Sequence, residues 1–265
     1  MSGRTAHVSS GNYNTSTAAT YTDFALMTCD ETIAADVAEL FAFISGDVAL
    51  PELRGVLAAP FDLRAGFTAL VEREIAWAER GEAAQIILKM NSLLDPAAID
   101  VLTRAAEAGV QVDLIVRGAS ALIPSNSRLR IRSIVGRFLE HSRAWNFRNG
   151  GAEQAFIGSA DVRPRNFDTR VEVMVPVRDP ALAARLRYEI LDVYLLDTLS
   201  ARELLPNGRY RRVTPRPGES GIACQSALLD LRSSAADVTE PNDRHGHRAS
   251  HLRRGHAGAR ALCVH

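Results

Sequence analysis

The feature that most restricts the fold of this 265-residue chain is an alternation of helical and strand patterns between residues 62 and 116. Apolar residues recur at helical spacing from Asp62 to Arg80, and a glycine ends that pattern. A strand pattern over Gln85–Leu88 follows, then an amphipathic helix over Pro96–Ala108 and a second strand over Val110–Val116. Strands that alternate with helices favour a parallel sheet with crossover helices. The sequence therefore predicts an α/β protein.

Two cations stand at the ends of these predicted strands. Lys89 follows the first strand and Arg117 follows the second. The carboxyl ends of neighbouring parallel strands meet at one edge of a sheet, and open α/β sheets usually bind ligands there. Lys89 is also the only lysine among the 31 lysine and arginine residues of the chain. Both residues are candidate ligand contacts, although a lysine at a strand end is as often a solvated surface residue.

A histidine and an arginine stand two residues apart in the stretch that follows. His141 and Arg143 precede an Asn149-Gly150 pair, which predicts a hairpin turn between two strands. Such a hairpin would bring Ser159 and Asp161 within reach of the imidazole. An imidazole, a fixed cation and short polar groups at strand ends are suited to bind phosphate. A histidine in a hairpin is also commonly a surface or core residue without a chemical role, so this hypothesis depends on the rest of the chain.

An internal repeat relates an early segment to a late one. When Ser10 is set against Ser159, Asp23 and Glu172 follow at the same thirteen-residue spacing, each just before an apolar strand. In both segments a turn with serine leads into a polar loop and then into that acid. We interpret the segments as two related units, of which only the second includes a His-x-Arg strand.

The remaining patterns complete an outline of the chain. They predict three strands and two helices: Ala6–Ser9, Phe24–Met27 and Val171–Val177, and helices over residues 30–45 and 179–195. The segment Asp197–Leu205 is interpreted as short and helical. Beyond residue 215 the apolar period ends, so residues 215–265 are predicted to be disordered. This tail holds five of the seven histidines, but we predict no metal site in it.

Composition argues against several classes of protein. The 31 basic residues balance 31 acidic ones, so no bulk charge recruits nucleic acid or an anionic membrane. No apolar run approaches the roughly 18–20 residues that span a bilayer, and the N-terminal residues lack the apolar core of a signal peptide. Three widely spaced cysteines indicate neither a disulfide framework nor a zinc site. We expect a soluble cytoplasmic protein.

Ordered motifs along the chain resemble a known family. The motifs His141-Ser142-Arg143 and Gly158-Ser159-Ala160-Asp161 look like a degenerate form of the paired signature of the phospholipase D superfamily. More specifically, the C-terminal part of the long bacterial polyphosphate kinases is similar to these segments in the same order: HVSSGNYN, YTDFALMT, KMNSLLD, DLIVRG, SIVGRFLEHSR, FIGSAD, PRNFDTRVEVMVPV and LLDTLSARELLPNGRY. The resemblance covers about residues 6–212.

The resemblance implies a fold and an activity. The C-terminal half of that family folds as two phospholipase-D-like α/β domains, each a mixed sheet flanked by helices. Residues 1–50 would then be the end of the first domain and residues 51–214 the second, followed by the tail at 215–265. The activity implied is reversible transfer of the ATP γ-phosphoryl group to polyphosphate, through a phosphohistidine and with Mg²⁺.

The resemblance also implies site residues. By motif matching, Tyr21 in YTD, Arg117 in LIVRG and His141 in LEHSR fall on nucleotide-contacting positions, and His141 is the catalytic candidate. A guanidinium fork suits a phosphate group, and an imidazole titrates near neutral pH. We add three basic residues as candidate polyphosphate contacts: Lys89, Arg143 and Arg165.

The chain departs from the family pattern at its start. The histidine that the family phosphorylates, and its magnesium-contacting arginines, lie upstream of the segment that matches Ser9–Asn12. The chain thus resembles a C-terminal fragment, with ATP or ADP, polyphosphate, and the upstream half or a second copy as expected partners. Two alternatives stay open. One is a non-catalytic remnant that binds nucleotide or polyphosphate, and the other is a phospholipase-D-like phosphodiesterase with His141 as nucleophile.

Overall fold

The computed structural model describes residues 3–237 and 261–264, which form one large sheet, two small sheets and the helices around them. The first unit of the chain contains, in order, β1 (Ala6–Ser9), α1 (Thr15–Ala18), β2 (Tyr21–Thr22), β3 (Phe24–Thr28) and α2 (Glu31–Ser45). The second unit begins with β4 (Leu57–Ala59), α3 (Leu63–Glu79), β5 (Gln85–Met90), α4 (Pro96–Glu107), β6 (Gln111–Val116), β7 (Leu129–Ile134), β8 (Leu139–Glu140), β9 (Ala144–Phe147) and β10 (Gln154–Gly158). It continues with α5 (Pro164–Asp168), β11 (Glu172–Pro176), α6 (Pro180–Ala184), a π-helical segment (Arg185–Leu191), α7 (Asp192–Leu195), β12 (Ala201–Leu204), β13 (Tyr210–Arg212) and α8 (Cys224–Asp237), and a last strand is β14 (Ala261–Val264).

The large sheet has nine strands in the order β13-β12-β7-β6-β5-β9-β10-β11-β4. Within it, β5 pairs in parallel with β6 and β6 with β7. The other pairs are antiparallel. The mixed sheet flanked by helices that the sequence predicts is therefore confirmed. Its parallel pairing is confined to β5, β6 and β7, which are connected by α4 and by the β6–β7 loop.

Helices cover both faces of this sheet, which explains the nearly continuous apolar sequence of its central strands. On one face, Phe67 of α3 and Leu102 of α4 pack in a core with Leu88 of β5. On the other face, Tyr194 of α7 packs in a second core with Ile87. Adjacent residues of one strand thus enter opposite cores, as the alternation of side chains in a strand requires.

A short parallel pair joins the first unit to the segment that leads to His141. Strand β2 pairs with β8, with Tyr21 opposite Leu139 and Thr22 opposite Glu140. The N–H of His141 then donates to the carbonyl of Thr22 at 3.2 Å. The pairing brings the residues that follow β2 and β8 to one place in the molecule.

The sequence repeat is present in the hydrogen bonds of the two units. The hydroxyl of Ser10 donates to Asp23 at 2.8 Å, and its oxygen accepts the N–H of the next residue after Asp23 at 2.9 Å. In the second unit the hydroxyl of Ser159 donates to Glu172, and its oxygen accepts the following backbone N–H at 3.2 Å. The strands on either side pair in antiparallel fashion in both units. Each serine therefore fastens a turn to the strand that returns beside it.

One predicted element is wrong. The segment Asp197–Leu205 is not helical, because its residues Ala201–Leu204 form β12 between β7 and β13. The buried carboxylate of Asp197 accepts backbone N–H groups from residues 199, 200 and 201, at 3.1, 2.6 and 2.8 Å. This turn around a carboxylate reverses the chain after α7 and delivers it to the sheet edge.

The predicted disorder from residue 215 also differs from the structure, since α8 forms within that range. Its first residue, Cys224, is fully buried, and the Cys224 N–H donates to Asp197 at 2.7 Å. Leu228 packs against the core that contains Tyr194, so a few apolar side chains suffice where the local pattern is weak. Residues 261–264 pair with β3 in antiparallel fashion. The tail histidines at 245, 247, 251, 256 and 265 lie outside the described residues.

No membrane-spanning segment is expected from the sequence. In the part of the chain that the structure describes, no helix has both the length and the hydropathy needed to cross a bilayer.

Candidate active site

The candidate site lies where the first unit meets the carboxyl ends of β5 and β6. His141 follows β8 directly, and its backbone is held by the residues of β2. The sequence places His141 and Arg143 in one strand of a hairpin. In the structure they form an extended connection between β8 and β9, and the hairpin itself joins β9 to β10 around residues 149–151.

A carboxylate of the first unit orients the imidazole of His141. Nδ1 of His141 lies 2.9 Å from Oδ1 of Asp23, and the Ser10 hydroxyl donates to the same carboxylate oxygen at 2.8 Å. Asp23 is buried, whereas 13% of the His141 side chain is exposed. A carboxylate against Nδ1 assigns the proton to that nitrogen and leaves a lone pair on Nε2. Nε2 is therefore the atom of this ring that can accept a proton, and once protonated it can donate to a phosphate oxygen.

Arg143 fixes a buried positive charge beside the ring. One of its terminal nitrogens, Nη1, lies 3.1 Å from Nε2 of His141 and also donates to the carbonyl of Ser10 at 3.1 Å. Its other terminal nitrogen lies 3.4 Å from Asp161. With the Asn91 amide turned so that its donor and acceptor are both satisfied, the Asn91 oxygen accepts from Nε of Arg143 at 3.2 Å. The guanidinium thus links both units and has little freedom to move.

Tyr21 forms one wall of the site. Its ring lies 4.9 Å from the His141 ring, tilted by 46°, and its side chain is half-buried. The tyrosine sits on β2, one residue before Thr22 and two before Asp23. Two of the residues that the motifs place on nucleotide-contacting positions, Tyr21 and His141, are thus in contact.

Arg117 stands at the same edge of the sheet as the site. It follows β6, its N–H donates to the carbonyl of Met90 at 3.2 Å, and its carbonyl accepts from the Ser133 hydroxyl at 3.0 Å. Asn91, next to Met90, donates its N–H to Asp161 at 2.7 Å. The Arg117 side chain is partly exposed, and its guanidinium has no protein partner among residues 3–237. The backbone is fixed while the charged end is available.

The structure separates the other two candidate polyphosphate contacts. Arg165 lies exposed on α5, and its guanidinium likewise has no ion pair in the described chain. Lys89, by contrast, lies inside β5 and is 1% exposed. Its ammonium is 2.8 Å from Glu140 and donates to the Ser142 hydroxyl at 2.7 Å. A lysine enclosed in this way has no open face for a polyphosphate chain, so we withdraw Lys89 as a contact.

Neither Ser159 nor Asp161 hydrogen-bonds to the imidazole, although the hairpin argument expects them within its reach. Ser159 is bonded to Glu172, and Asp161 accepts from Asn91 and Arg143. The residue that sequence reasoning missed as the imidazole's partner is Asp23. The repeat contains a signal for this residue. It pairs Asp23 with Glu172, and each of these acids lies thirteen residues after the serine of a turn.

Glu172 is the counterpart of Asp23 in the second unit. It is buried and accepts from the Ser159 hydroxyl and from Nδ2 of Asn166. Asp23 contacts a serine and a histidine, whereas Glu172 contacts a serine and an asparagine and lies 3.7 Å from the guanidinium of Arg170, and no histidine contacts it among the described residues. The two units therefore present equivalent carboxylates, of which one holds an imidazole.

Comparison with known proteins gives consistent matches. The family model "Polyphosphate kinase C-terminal domain 2" matches residues 56–225, and "Polyphosphate kinase C-terminal domain 1" matches residues 2–49. The chain is 45% identical over 240 residues to polyphosphate kinase 1 of Chlorobaculum tepidum, covering 89% of the chain and 34% of that protein. It is 43% identical over 230 residues to the polyphosphate kinase of Thermosynechococcus vestitus, covering 85% of the chain and 31% of that protein.

A solved structure agrees with these matches. The crystal structure of polyphosphate kinase from Porphyromonas gingivalis superposes with a TM-score of 0.83 at 37% identity. The superposition covers 89% of this chain and 36% of that one. The chain thus spans about a third of the length of the relatives it matches.

Proposed function

This chain belongs to the polyphosphate kinase family, and on that basis we propose that it is the C-terminal part of an ATP:polyphosphate phosphotransferase. The reaction is transfer of the γ-phosphoryl group between ATP and the end of a polyphosphate chain, in either direction. Because the chain spans 34% and 31% of two full-length relatives, the activity belongs to the assembled enzyme. We place the enzyme in the cytoplasm, where its nucleotides are.

The observation that carries the proposal is the imidazole of His141 held between Asp23 and Arg143. Phosphoryl transfer needs alignment and stabilisation of charge more than it needs covalent chemistry from the protein. Asp23 fixes the ring and its tautomer, so Nε2 is directed away from the carboxylate. Nε2 can then contact the transferred phosphoryl group or move a proton to or from the attacking oxygen.

Charged and aromatic neighbours supply the rest of a nucleotide site. Arg143 places a fixed guanidinium 3.1 Å from Nε2, where negative charge accumulates during transfer. Arg117 offers a guanidinium fork at the same edge of the sheet, without a partner among the described residues, which suits the β- and γ-phosphates. Tyr21 presents its ring beside His141 for the nucleoside. Arg165, exposed on α5, remains a candidate contact for the polyphosphate chain.

Glu172 is where the remaining part of the enzyme fits. By the repeat, the carboxylate that corresponds to Asp23 should also hold the Nδ1 of a histidine, and this one comes from outside the described chain. Glu172 would direct the Nε2 of that histidine toward the phosphoryl group. The nitrogen would attack the γ-phosphorus, the bond to the β–γ bridging oxygen would break, and ADP would leave with the electron pair. The terminal oxygen of polyphosphate would then displace the histidine nitrogen.

Magnesium is proposed to enter with the nucleotide. Within residues 3–237 no group of three histidine, cysteine, aspartate or glutamate side chains could hold a metal ion. The described residues therefore do not fit a resident Mg²⁺, and we derive no step through one. The metal belongs to the ATP phosphates and to the part of the enzyme that lies upstream.

Complementation tests the proposed function. The chain would be mixed with the upstream part of the Chlorobaculum tepidum relative that it does not match, and ATP formation from ADP and polyphosphate would be measured with Mg²⁺. We expect turnover that falls by about 10²-fold or more in His141→Ala and Asp23→Asn. Arg117→Ala should weaken ADP binding to the chain by roughly 10–100-fold. Arg128→Ala is the matched control, because Arg128 is exposed at the opposite end of the sheet.

Each outcome separates the hypotheses. ADP binding that depends on Arg117, without turnover in a folded mixture, would favour a non-catalytic nucleotide-binding remnant. Phosphodiester hydrolysis by the chain that is lost in His141→Ala would favour a phosphodiesterase. Absence of both nucleotide binding and turnover would reject the proposal.

A further inference from the structure

The segment that carries His141 rests on a buried polar cluster that the proposed chemistry does not use. The cluster consists of Lys89 on β5, Glu140 on β8, Ser142, Thr22 on β2 and Gln225 on α8. Lys89, Glu140 and Ser142 are 1%, 3% and 0% exposed. Elements far apart in the sequence therefore converge beneath one site residue.

Gln225 holds the turn that leads into His141. Its side-chain oxygen accepts the N–H of Phe138 at 3.0 Å. Its nitrogen donates to the carbonyl of Phe138 at 2.9 Å and to Oε1 of Glu140 at 2.7 Å. A Cβ atom at Gly136 would lie 2.4 Å from the Gln225 oxygen, so the turn and the amide are closely fitted. Residues 136–140 are thus fixed by a side chain of α8.

Lys89 holds the residues on either side of His141. Its Nζ lies 2.8 Å from Oε2 of Glu140 and donates to the Ser142 hydroxyl at 2.7 Å. In an extended backbone, residues 140 and 142 point away from the face that carries residue 141. Burial alone would raise the pKa of Glu140, but the Lys89 charge and the hydrogen bonds outweigh it, and the pKa lies below its usual value. The carboxylate is therefore ionised at neutral pH.

Thr22 connects the same cluster to the partners of the imidazole. Its hydroxyl donates to Oε2 of Glu140 at 2.9 Å. Thr22 lies between Tyr21 and Asp23, which contact the ring face and the Nδ1 of His141. Glu140 thus directly precedes His141 in the chain and is also hydrogen-bonded to the segment that orients the His141 ring.

We propose that Glu140, together with Lys89 and Gln225, positions His141 against Asp23 and Tyr21, so that α8 takes part in shaping the active site. A buried ion pair is weak evidence of stabilisation, because apolar side chains of the same shape often serve as well. Holding a catalytic group within about 0.5 Å of its working position, however, requires a second layer of hydrogen bonds. The effect on turnover rests on the proposed function, whereas the geometry of the imidazole can be measured in the chain alone.

Two variants test the cluster without leaving a charge unpaired in the core. Loss of Glu140 alone would strand the Lys89 ammonium, and that protein is expected to fold poorly. Gln225→Leu removes three hydrogen bonds and keeps the size of the side chain. The double variant Lys89→Met, Glu140→Gln removes both charges and keeps their shape. Gln85→Leu is the control. Gln85 lies at the other end of β5, is also half-buried, and donates a hydrogen bond to Asp113 of β6.

The ¹⁵N NMR signals of His141 report its tautomer in the chain alone. Wild type should show the proton on Nδ1. Asp23→Ala is the reference for an imidazole that has lost its carboxylate partner and populates both neutral tautomers. In both cluster variants the His141 signals should shift toward those of Asp23→Ala, whereas in Gln85→Leu they should resemble those of wild type. In the complemented enzyme, kcat should fall by about tenfold to a hundredfold, and the KM for ADP should change much less.

The outcomes for the cluster and for the kinase function are distinguishable. Unchanged His141 signals in both variants would overturn the positioning role, whatever the activity. Moved signals without turnover in any protein, wild type included, would support positioning and count against the kinase function. Moved signals with a loss of kcat that the Gln85 control does not share would support both.

Discussion

Lys89 is the most distinctive single residue of the chain, because it is the only lysine in the sequence. A polyphosphate contact must present its ammonium to solvent, but Lys89 is 1% exposed. Its Nζ is paired with Glu140 and lies 4.7 Å from the centre of the Tyr194 ring. An ion pair and a cation–π contact in the core fit a structural role. Arg117 and Arg165, whose side chains are exposed at least in part, are then the candidate cations that can reach a substrate.

The uniqueness of Lys89 makes its burial measurable. In the native protein, an acetylating reagent should modify the N-terminal amine and leave Lys89 unreacted, because the ammonium becomes accessible only when the surrounding core opens. After unfolding in guanidinium chloride, Lys89 should react as an ordinary lysine. Peptide mapping by mass spectrometry measures both rates, and the double variant Lys89→Met, Glu140→Gln identifies the peptide. Rapid native acetylation that polyphosphate slows would restore Lys89 as a substrate contact.

At this scale the sequence indicated several of the residues that the structure brings together. Tyr21, Arg117, Arg143 and His141 are indicated by their motifs, and the structure brings Tyr21, Arg143 and His141 into contact. Asp23 was not assigned to His141, because the two are 118 residues apart and no periodic pattern encodes a contact across units. A strand pattern does not show whether its last residues are covered, so it does not distinguish a buried Lys89 from an exposed one.

The antiparallel pair β10–β11 brings two backbones close together near the site. The N–H of Ser159 donates to the carbonyl of Val173 at 2.9 Å. A Cβ atom on Gly158, the residue before, would lie 1.9 Å from that same carbonyl oxygen. Only glycine leaves room for the two backbones here. The turn that carries Ser159 and Asp161 depends on this approach.

Gly158→Ala should therefore be far more costly than its single methyl group suggests. We expect a loss of about 3 kcal/mol or more in the free energy of unfolding, because the obstacle is backbone and cannot rotate away. Ala155→Gly in the same strand is the matched reverse exchange, and its cost should be about 1–2 kcal/mol. Urea denaturation measures both. Equal losses in the two variants would show that β10 and β11 separate easily at this point.

At the scale of elements, long periodic segments were predictable and short ones were not. Helices α3 and α4 and strands β5 and β6 follow the sequence patterns closely because burial on one or both faces imposes the period. The local pattern favours a helix where strand β12 forms, since four residues next to the last strand of the sheet carry little pattern and Asp197 determines the turn before them. The sequence pattern does not indicate helix α8, because the place of this helix depends on the contact of Cys224 with Asp197 and not on an apolar period of its own.

The molecule as a whole is held together at the junction of its two units. Strands β2 and β8 pair across it, and Arg178 of the second unit lies 3.1 Å from Asp30 of the first. The connection between the units is fixed by Asp36, a buried residue of α2 that accepts the N–H groups of residues 54, 55 and 56. The site draws Asp23 and Tyr21 from one unit and His141 and Arg143 from the other. Its geometry therefore depends on the junction.

The Asp36 contact gives a direct test of how the junction is maintained. Asp36→Asn removes the negative charge and, with its oxygen kept at the Oδ2 position, places an amide nitrogen at the Oδ1 position, where it faces the N–H of residue 54 and cannot accept it. We expect a loss of about 1–3 kcal/mol in stability, the cost of a buried donor left without a partner. Hydrogen exchange at residues 54–56 should accelerate by about tenfold to a hundredfold. Glu39→Gln, on the same helix and more exposed, is the control.

The state of His141 in this variant decides what the junction does for the site. If Asp36 keeps the units in register, the His141 nitrogen signals should broaden or move as the 54–56 amides lose protection, because Asp23 and His141 lie on opposite sides of the junction. Faster exchange at 54–56 with unchanged His141 signals would mean that the β2–β8 pair alone holds the site together. The connection would then serve stability and the short parallel pair would serve function, which the sequence patterns of neither segment reveal.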